Sequence, residues 1–321
     1  MRLKILAALL AMFAFTLPAS SQQWPERQVT IIVPFSAGGT TDIIARMVAQ
    51  HMQEKFGKPF VVENRAGAGG TLGAAAAARA PKDGYTILFV SVSVSAINQY
   101  LYANPGYDPI KDFEPIGLIN EVANILVVNP SKVPAKTLPE FVDYLKANPG
   151  KLSYASAGIG TSQQFGPILL EIATGTKAIH VPYRSSGDIT NALVGGHVDF
   201  AFDNPAVMLP QIRAGNVRAL GVADVKRLKQ LPDVPAITEL YPKVVSTSWN
   251  GVVMPAGTPK PILDTVAAEL NRIVNLPAVS GKIEELGATM NILGPAEFGK
   301  FLLAEGQKWG EVVKAAGIKP Q

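Results

Sequence analysis

The 321-residue chain contains no cysteine, three histidines and few aromatic residues, which make up 7% of the sequence. Without cysteine, neither disulfide bridges nor thiolate metal ligands are available, so burial of a large core must stabilise the fold. The histidines His51, His180 and His197 lack the spacing of a metal-binding motif, and we expect a structural role for each. The sequence therefore predicts neither a metal site nor a cofactor.

Clusters of basic residues are also lacking. Without Arg2 and Lys4, which belong to the N-terminal segment considered next, the 29 basic residues fall to 27 against 25 acidic ones, a net charge of +2. A nearly neutral chain with no run of five lysines or arginines argues against nucleic acid as a partner. After the first twenty residues, no apolar run approaches the ~18 residues of a membrane span. We therefore expect a soluble monomer without a membrane span.

The N-terminus carries the one long apolar run. Arg2 and Lys4 precede the apolar residues 5–17, and Pro18-Ala19-Ser20-Ser21 supplies small residues suited to cleavage. This pattern is typical of a secretory signal peptide and is too short for a membrane span, with a slightly longer N-terminal anchor as the alternative. We expect an exported protein that is cleaved near Ser21.

Strand-like apolar runs alternate with helical patterns along most of the chain. Strands are predicted at residues 29–33, 60–63, 86–90, 116–119, 125–129, 152–155, 178–182, 198–202 and 219–223, and helices near residues 42–56, 71–80, 137–147, 162–174, 187–195, 205–213, 260–274 and 295–316. The alternation predicts an α/β fold with largely parallel sheets, and the lack of polar alternation in the strands predicts helices on both faces.

Two segments have the character of crossings between domains. Residues 116–121 lead from one α/β block into the next, and residues 244–253 lead from the second block into a helical C-terminal segment. We expect one lobe of residues 22–120 and 251–321 and a second of residues 121–250, with two linkers that allow hinge closure on a ligand. Two independent tandem domains are the alternative.

Five turns connect predicted strands to helices and are the candidate ligand-contacting segments. They lie at residues 34–42, 63–73, 153–164, 181–188 and 202–205. In the first turn, Gly38 and Gly39 leave the backbone uncovered ahead of a helix N-terminus, where N–H groups and the helix dipole attract anions. Ligands of open α/β sheets bind beyond the carboxyl ends of the strands. Five turns of this kind therefore favour an anion site over the alternative, in which glycine and threonine occur only because strand-to-helix turns prefer them.

Motifs of known enzyme and nucleotide-binding classes are incomplete. In the second turn, Leu72 occupies the third glycine position of the dinucleotide fingerprint, and the third turn lacks the lysine of a phosphate-binding loop. The alternative function is an exported hydrolase that uses Asp203 or a serine of the third turn. Arg46 is expected in an ion pair on a helix surface, whereas Arg184 suits either a structural role or a ligand carboxylate.

In these turns the chain resembles the periplasmic substrate-binding proteins of the tripartite tricarboxylate transporter system, the Bug family. The matching segments follow the family's order across nearly the whole chain: residues 34–42 with Ala45-Arg46, residues 64–70, 154–161, 181–184 and 193–199, and Arg227 with residues 231–235 and Glu239. The resemblance implies a two-lobed, Venus-flytrap fold of type II, each lobe being a central sheet flanked by helices, in the periplasm.

The resemblance also implies a function and a set of contacts. A small organic acid (a di- or tricarboxylate, an aromatic carboxylate or an amino acid) would be held between the lobes and delivered to membrane transporter subunits, without catalysis. Carried onto this chain, the first-lobe contacts fall on Phe35, Ser36, Ala37, Gly38, Gly39 and Thr40, and the opposing contacts on Ser156, Ala157, Gly158, Thr161, Ser162, Gln163, Tyr183, Asp203 and Asn204. Gln163 and Gln164 are expected to help set specificity.

Overall fold

The computed structural model describes residues 24–320, so the predicted signal peptide and its cleavage site lie outside the described residues. The strands are β1 (Val29–Val33), β2 (Phe60–Asn64), β3 (Thr86–Val90), β4 (Phe113–Ala123), β5 (Ile125–Val128), β6 (Ser153–Ser156), β7 (Ile179–Pro182), β8 (Phe200–Asp203), β9 (Arg218–Val222), β10 (Thr247–Pro255) and β11 (Ala288–Leu293). The helices are α1 (Thr40–Phe56), α2 (Thr71–Ala78), α3 (Asn98–Leu101), α4 (Leu138–Ala147), α5 (Ser162–Thr174), α6 (Ser186–Val194), α7 (Pro205–Arg213), α8 (Lys260–Val274), α9 (Pro277–Glu285) and α10 (Pro295–Ala315).

The strands form two mixed sheets. In the first sheet the order is β11-β4-β10-β3-β1-β2, and in the second it is β7-β6-β8-β5-β9. The pairs of β1 with β2 and β3, and of β6 with β7 and β8, are parallel, whereas the other five pairings are antiparallel. The α/β fold is therefore confirmed, but the prediction of largely parallel sheets is wrong. The antiparallel pairings of the first sheet all involve β4 or β10, and those of the second sheet both involve β5.

The C-terminal third holds elements that the sequence pattern does not predict. The strand β11 is half-exposed along most of its length and carries Thr289 and Asn291, so it lacks the apolar run of a buried strand. The helix α9 is short and contains a proline and a glycine, Pro277 and Gly281, which weaken a helical pattern. Outside the C-terminal third, the sequence pattern also does not predict the π-helical turn at Ser93–Ile97, which leads into α3.

Each sheet separates two apolar clusters. In β1, Ile31 faces one cluster and Ile32 the other; in β8, Phe202 and Ala201 do the same. Both faces of both sheets are thus covered, which explains why the strand sequences lack polar alternation. We call the first sheet with its helices lobe 1 and the second sheet with its helices lobe 2. Within residues 24–320, no helix combines the length and apolarity needed to cross a membrane.

The chain passes between the lobes at two neighbouring points. Asn124 lies between β4 and β5, and Ser246 directly precedes β10. The Asn124 backbone N–H donates to the Ser246 carbonyl at 3.1 Å, and its side-chain amide donates to the Ser246 hydroxyl at 3.1 Å. These bonds hold the two crossings side by side.

Candidate functional site

A cavity of about 210 Å³ lies between the lobes. It is lined by Phe35, Ser36, Ala37, Gly38, Gly39, Thr40, Thr41, Asp42, Ser91, Ser93, Ala157, Thr161, Ser162, Gln163, Arg184, Ser185, Ser186, Gly187, Asn204, Val207 and Ser248. All of these except Ser248 follow the carboxyl ends of β1, β3, β6, β7 or β8. The volume is below the ~300–1,000 Å³ of sites for drug-sized ligands, so the cavity suits a small molecule.

Four helices begin at this cavity. Their N-cap residues are Gly39 for α1, Thr161 for α5, Ser185 for α6 and Asn204 for α7. The first N–H groups of a helix have no partner within it, and the helix dipole makes that end positive. Four such ends at one cavity, one from lobe 1 and three from lobe 2, create a strong preference for an anion.

The turn before α1 is held in place by a buried carboxylate. Asp42 accepts hydrogen bonds from the backbone N–H of Gly38 at 2.9 Å, from Arg46 at 3.0 Å and from the Asn64 amide at 2.8 Å. Burial opposes the charge of Asp42, but these donors outweigh it and hold the pKa of Asp42 below its usual value. The ion pair predicted for Arg46 is confirmed, and Gly39 takes the N-cap position.

Two residues of lobe 1 that line the cavity, Thr40 and Ser91, have buried hydroxyls without a protein partner in residues 24–320. Thr40 is 4% exposed and Ser91 is 3% exposed, and neither Oγ1 of Thr40 nor Oγ of Ser91 has a hydrogen-bond partner among the described residues. An unsatisfied buried hydroxyl costs about 1–3 kcal/mol, so such groups persist mainly where a ligand or water completes them. The two hydroxyls are therefore candidate donors to a bound molecule or to water.

Asp203 lies behind the opposite wall and connects three of the helix ends. Its Oδ1 accepts from Gln163 Nε2 at 3.2 Å, from Ser186 Oγ at 2.9 Å and from the Asn204 N–H at 2.7 Å. Each of these partners lines the cavity, whereas Asp203 itself is fully buried. Burial raises the pKa of Asp203 to about 6, and the three hydrogen bonds only partly oppose it. Asp203 therefore holds lining residues in place but does not itself line the cavity.

The cavity contains eleven of the fifteen predicted contact residues. These are Phe35, Ser36, Ala37, Gly38, Gly39, Thr40, Ala157, Thr161, Ser162, Gln163 and Asn204. Asp203 and Ser156 end their strands and are fully buried behind the wall. Gly158 and Tyr183 line a neighbouring cavity instead. Contact of any of these residues with a ligand stays a prediction.

Other lining residues were missed by the sequence analysis. Ser91 and Ser93 follow β3 in the run Ser91-Val92-Ser93-Val94-Ser95, where alternating serines at a strand end were a usable signal. The hydroxyls at residues 185–186 belong to a turn that was predicted but not assigned to contacts. Ser248 lies within β10, and no local pattern distinguishes it.

Two α/β lobes with converging helix N-termini around an interlobe cavity define a two-lobed solute-binding protein. Residues 44–318 match the model of the tripartite tricarboxylate transporter family receptor, and the chain belongs to this family. The predicted family and two-lobed fold are thereby confirmed. The family consists of periplasmic binding proteins.

Relatives and solved structures match over nearly their whole length. The Bordetella pertussis protein BugT is 34% identical over 319 residues, which span 99% of this chain and 98% of BugT. An R. palustris protein solved with adipate has a TM-score of 0.89 and 34% identity over 93% of this chain and 100% of its own. MatC from Rhodopseudomonas palustris, solved with bound malate, has a TM-score of 0.85 and 32% identity over 90% of this chain and 100% of its own.

Proposed function

We propose that the protein captures a small organic carboxylate between its lobes in the periplasm and delivers it to the membrane subunits of a tripartite tricarboxylate transporter. Membership of the receptor family supports the delivery role. Two similar proteins were solved with adipate and with malate, both of which are dicarboxylates. Their ligands support the class of small carboxylates for this chain.

The unpartnered hydroxyls of Thr40 and Ser91 carry the proposal. A carboxylate is an acceptor with about four lone-pair sites, so it complements hydroxyl and N–H donors. Thr40 and Ser91 line the same cavity as the N-terminus of α1, and their hydroxyl oxygens are buried. A carboxylate placed there would accept from both hydroxyls and from free N–H groups of the first helical turn, replacing the water lost on closure.

A hydrolase is the less favoured function. Ser156 Oγ lies 2.6 Å from His180 Nε2, a contact that resembles two members of a catalytic triad. However, Ser156 is fully buried and outside the cavity wall. His180 has no carboxylate partner among residues 24–320, and burial lowers its pKa to about 4. The pair therefore favours a structural role, and we propose binding without catalysis.

Calorimetry of the folded protein with malate, succinate, adipate, citrate, benzoate and glutamate tests the proposal. We expect one acid to bind per chain, and we expect Thr40→Val and Ser91→Ala each to weaken its binding about tenfold because each removes a hydrogen bond to a charged group. Thr265→Val and Ser280→Ala, on α8 and α9 away from the cavity, are the matched controls. Failure of every acid to bind the folded wild type would contradict the proposal.

A further inference from the structure

A second cavity, of about 410 Å³, lies beside the first and also between the lobes. Phe35, Ser36, Ala157 and Arg184 line both cavities, so the two meet at these residues. The polar contact across this junction, from the Ser36 hydroxyl to the Arg184 carbonyl, is exposed and long at 3.3 Å. A ligand that extends from one cavity into the other would therefore lose little by breaking this hydrogen bond.

The second cavity has a different lining from the first. Phe35, Tyr102 and Tyr183 contribute three aromatic rings, and Pro34 and Ile159 add apolar surface. The first cavity is lined mainly by glycine and hydroxyl residues, with Phe35 as its single aromatic side chain. The first cavity thus suits a charged group, whereas the second suits a hydrocarbon chain or a ring.

The glycine turn at residues 67–70 lines the second cavity and comes close to lobe 2. All four residues have positive φ, and Ala68, at +47°, is the only non-glycine residue with positive φ among residues 24–320. A Cβ at Gly69 would collide with the Ile159 carbonyl of lobe 2. Gly69 can approach lobe 2 closely because it has no side chain, and strained backbone of the kind seen at Ala68 is concentrated at functional sites.

Arg184 is an exposed residue that lines both cavities, and its side chain carries an unpaired positive charge. Its guanidinium has no ion pair and no hydrogen bond within the part of the chain that the structure describes. Five other arginines pair with carboxylates: Arg27, Arg46, Arg65, Arg227 and Arg272. A guanidinium offers parallel donors that match a carboxylate, so Arg184 suits a second carboxylate of the ligand.

We propose that the second cavity is a subsite for the far end of an elongated dicarboxylate. One carboxylate occupies the first cavity at Thr40 and Ser91, and an apolar chain or ring passes the junction between Phe35 and Ala157. The second carboxylate then lies in the second cavity, where Arg184 pairs with it. This inference rests on the proposed function and narrows its ligand to acids longer than malate.

Paired ligands test the role of Arg184. Calorimetry with adipate and hexanoate compares two acids of equal length that differ by one carboxylate. We expect Arg184→Gln to weaken adipate binding about tenfold and to leave hexanoate binding unchanged, because only adipate carries the charge that Arg184 meets. Arg213→Gln, an exposed arginine at the far end of α7, is the control for the loss of one positive charge. Equal effects of Arg184→Gln on the two acids would overturn the pairing.

A filled cavity tests the subsite itself. Ala66 lines the second cavity and not the first, so we expect Ala66→Trp to weaken adipate and terephthalate binding at least tenfold while malate binding stays unchanged. Ala173→Trp places the same ring on the exposed end of α5 as a control. If Ala66→Trp does not fold, Arg184→Gln decides the question.

The two proposals fail in different ways. If the wild type binds malate as tightly as adipate and terephthalate, and both variants leave every affinity unchanged, the subsite is wrong although the proposed function holds. If the folded wild type binds no carboxylate at all, the proposed function is overturned and the subsite with it.

Discussion

Two buried aspartates, one in each lobe, have opposite electrostatic surroundings. Asp42 is paired with Arg46 and hydrogen-bonded by Gly38 and Asn64, which keeps its pKa low despite burial. Asp203 has hydrogen-bond donors but no ion-pair partner among residues 24–320, and desolvation raises its pKa to about 6. Lobe 1 therefore holds a compensated charge, whereas hydrogen bonds compensate the charge of Asp203 only in part.

The raised pKa of Asp203 predicts a pH-dependent stability. The folded state binds the proton more tightly than the unfolded state, whose pKa is near 3.8, so the free energy of unfolding falls as pH rises from about 4 to about 6. The loss is on the order of 3 kcal/mol. We expect Asp203→Asn to remove it, so that the variant gains stability relative to the wild type between pH 4 and pH 7 in urea unfolding.

His180 also changes the stability in this pH window, so the effect of Asp203 must be measured by comparing the wild type with Asp203→Asn. Its pKa falls to about 4 in the folded protein, so its contribution to stability is lost as pH falls from 6.5 toward 4, opposite to Asp203 in the same window. The difference between wild type and Asp203→Asn isolates the aspartate. Asp143→Asn, on the exposed face of α4, is the control. Identical pH dependence of wild type and Asp203→Asn would contradict the assignment.

At the scale of elements, the turns that follow the strands supply most of the residues that line the cavity. The glycine turn before α5 approaches lobe 1 at Gly160, which has φ +86°. A Cβ at Gly160 would collide with Asn98 Oδ1 and lie 3.2 Å from Leu101. Asn98 cannot give way easily because its amide donates to the Gly69 carbonyl and to Thr71, each at 3.0 Å.

Gly160→Ala should therefore weaken ligand binding by hindering the approach of the lobes. We expect about a tenfold loss of affinity by calorimetry, corresponding to about 1.4 kcal/mol. Gly150→Ala is the matched control, since Gly150 also has positive φ, +68°, but has open space where the Cβ would lie. Both variants should lose about 1–2 kcal/mol of stability through backbone strain. Equal affinities in the two variants would contradict a role for this contact in closure.

Local patterns predict elements well where one period dominates. The bounds of β1 and of α5 match the prediction because an apolar run and a helical spacing define them within the segment itself. The direction of β4 and β10 could not be predicted, since it depends on how the chain crosses between lobes. The half-exposed β11 has no distinct pattern at all.

Local sequence patterns also predict only part of the functional site. The cavity-lining residues 35–40 and 161–163 lie within single turns, so patterns within one segment are enough to predict them. Ser91 and Ser248 reach the cavity because β10 pairs with β3 and β3 pairs with β1. Strand order of this kind depends on tertiary packing, and no pattern within one segment specifies it.

For the whole molecule, the crossings between the lobes are hydrogen-bonded to the start of α5, which lines the cavity. The Ser246 hydroxyl accepts from the Asn124 amide and donates to the Ser162 carbonyl at 2.8 Å, at the start of α5. On the same helix, Phe165 is buried in the core of lobe 1, with its ring 5.4 Å from that of Trp309. A change of lobe angle must therefore move the N-terminus of α5. The division into residues 22–120 with 251–321 and residues 121–250 stays a prediction.

The most direct test of the central claim is a crystal structure with the acid that binds tightest in calorimetry. We predict one carboxylate within hydrogen-bond distance of Thr40 Oγ1 and Ser91 Oγ, held between both lobes at the N-termini of α1 and α5. An acid bound outside the interlobe cavity, or a carboxylate that contacts neither hydroxyl, would contradict the account.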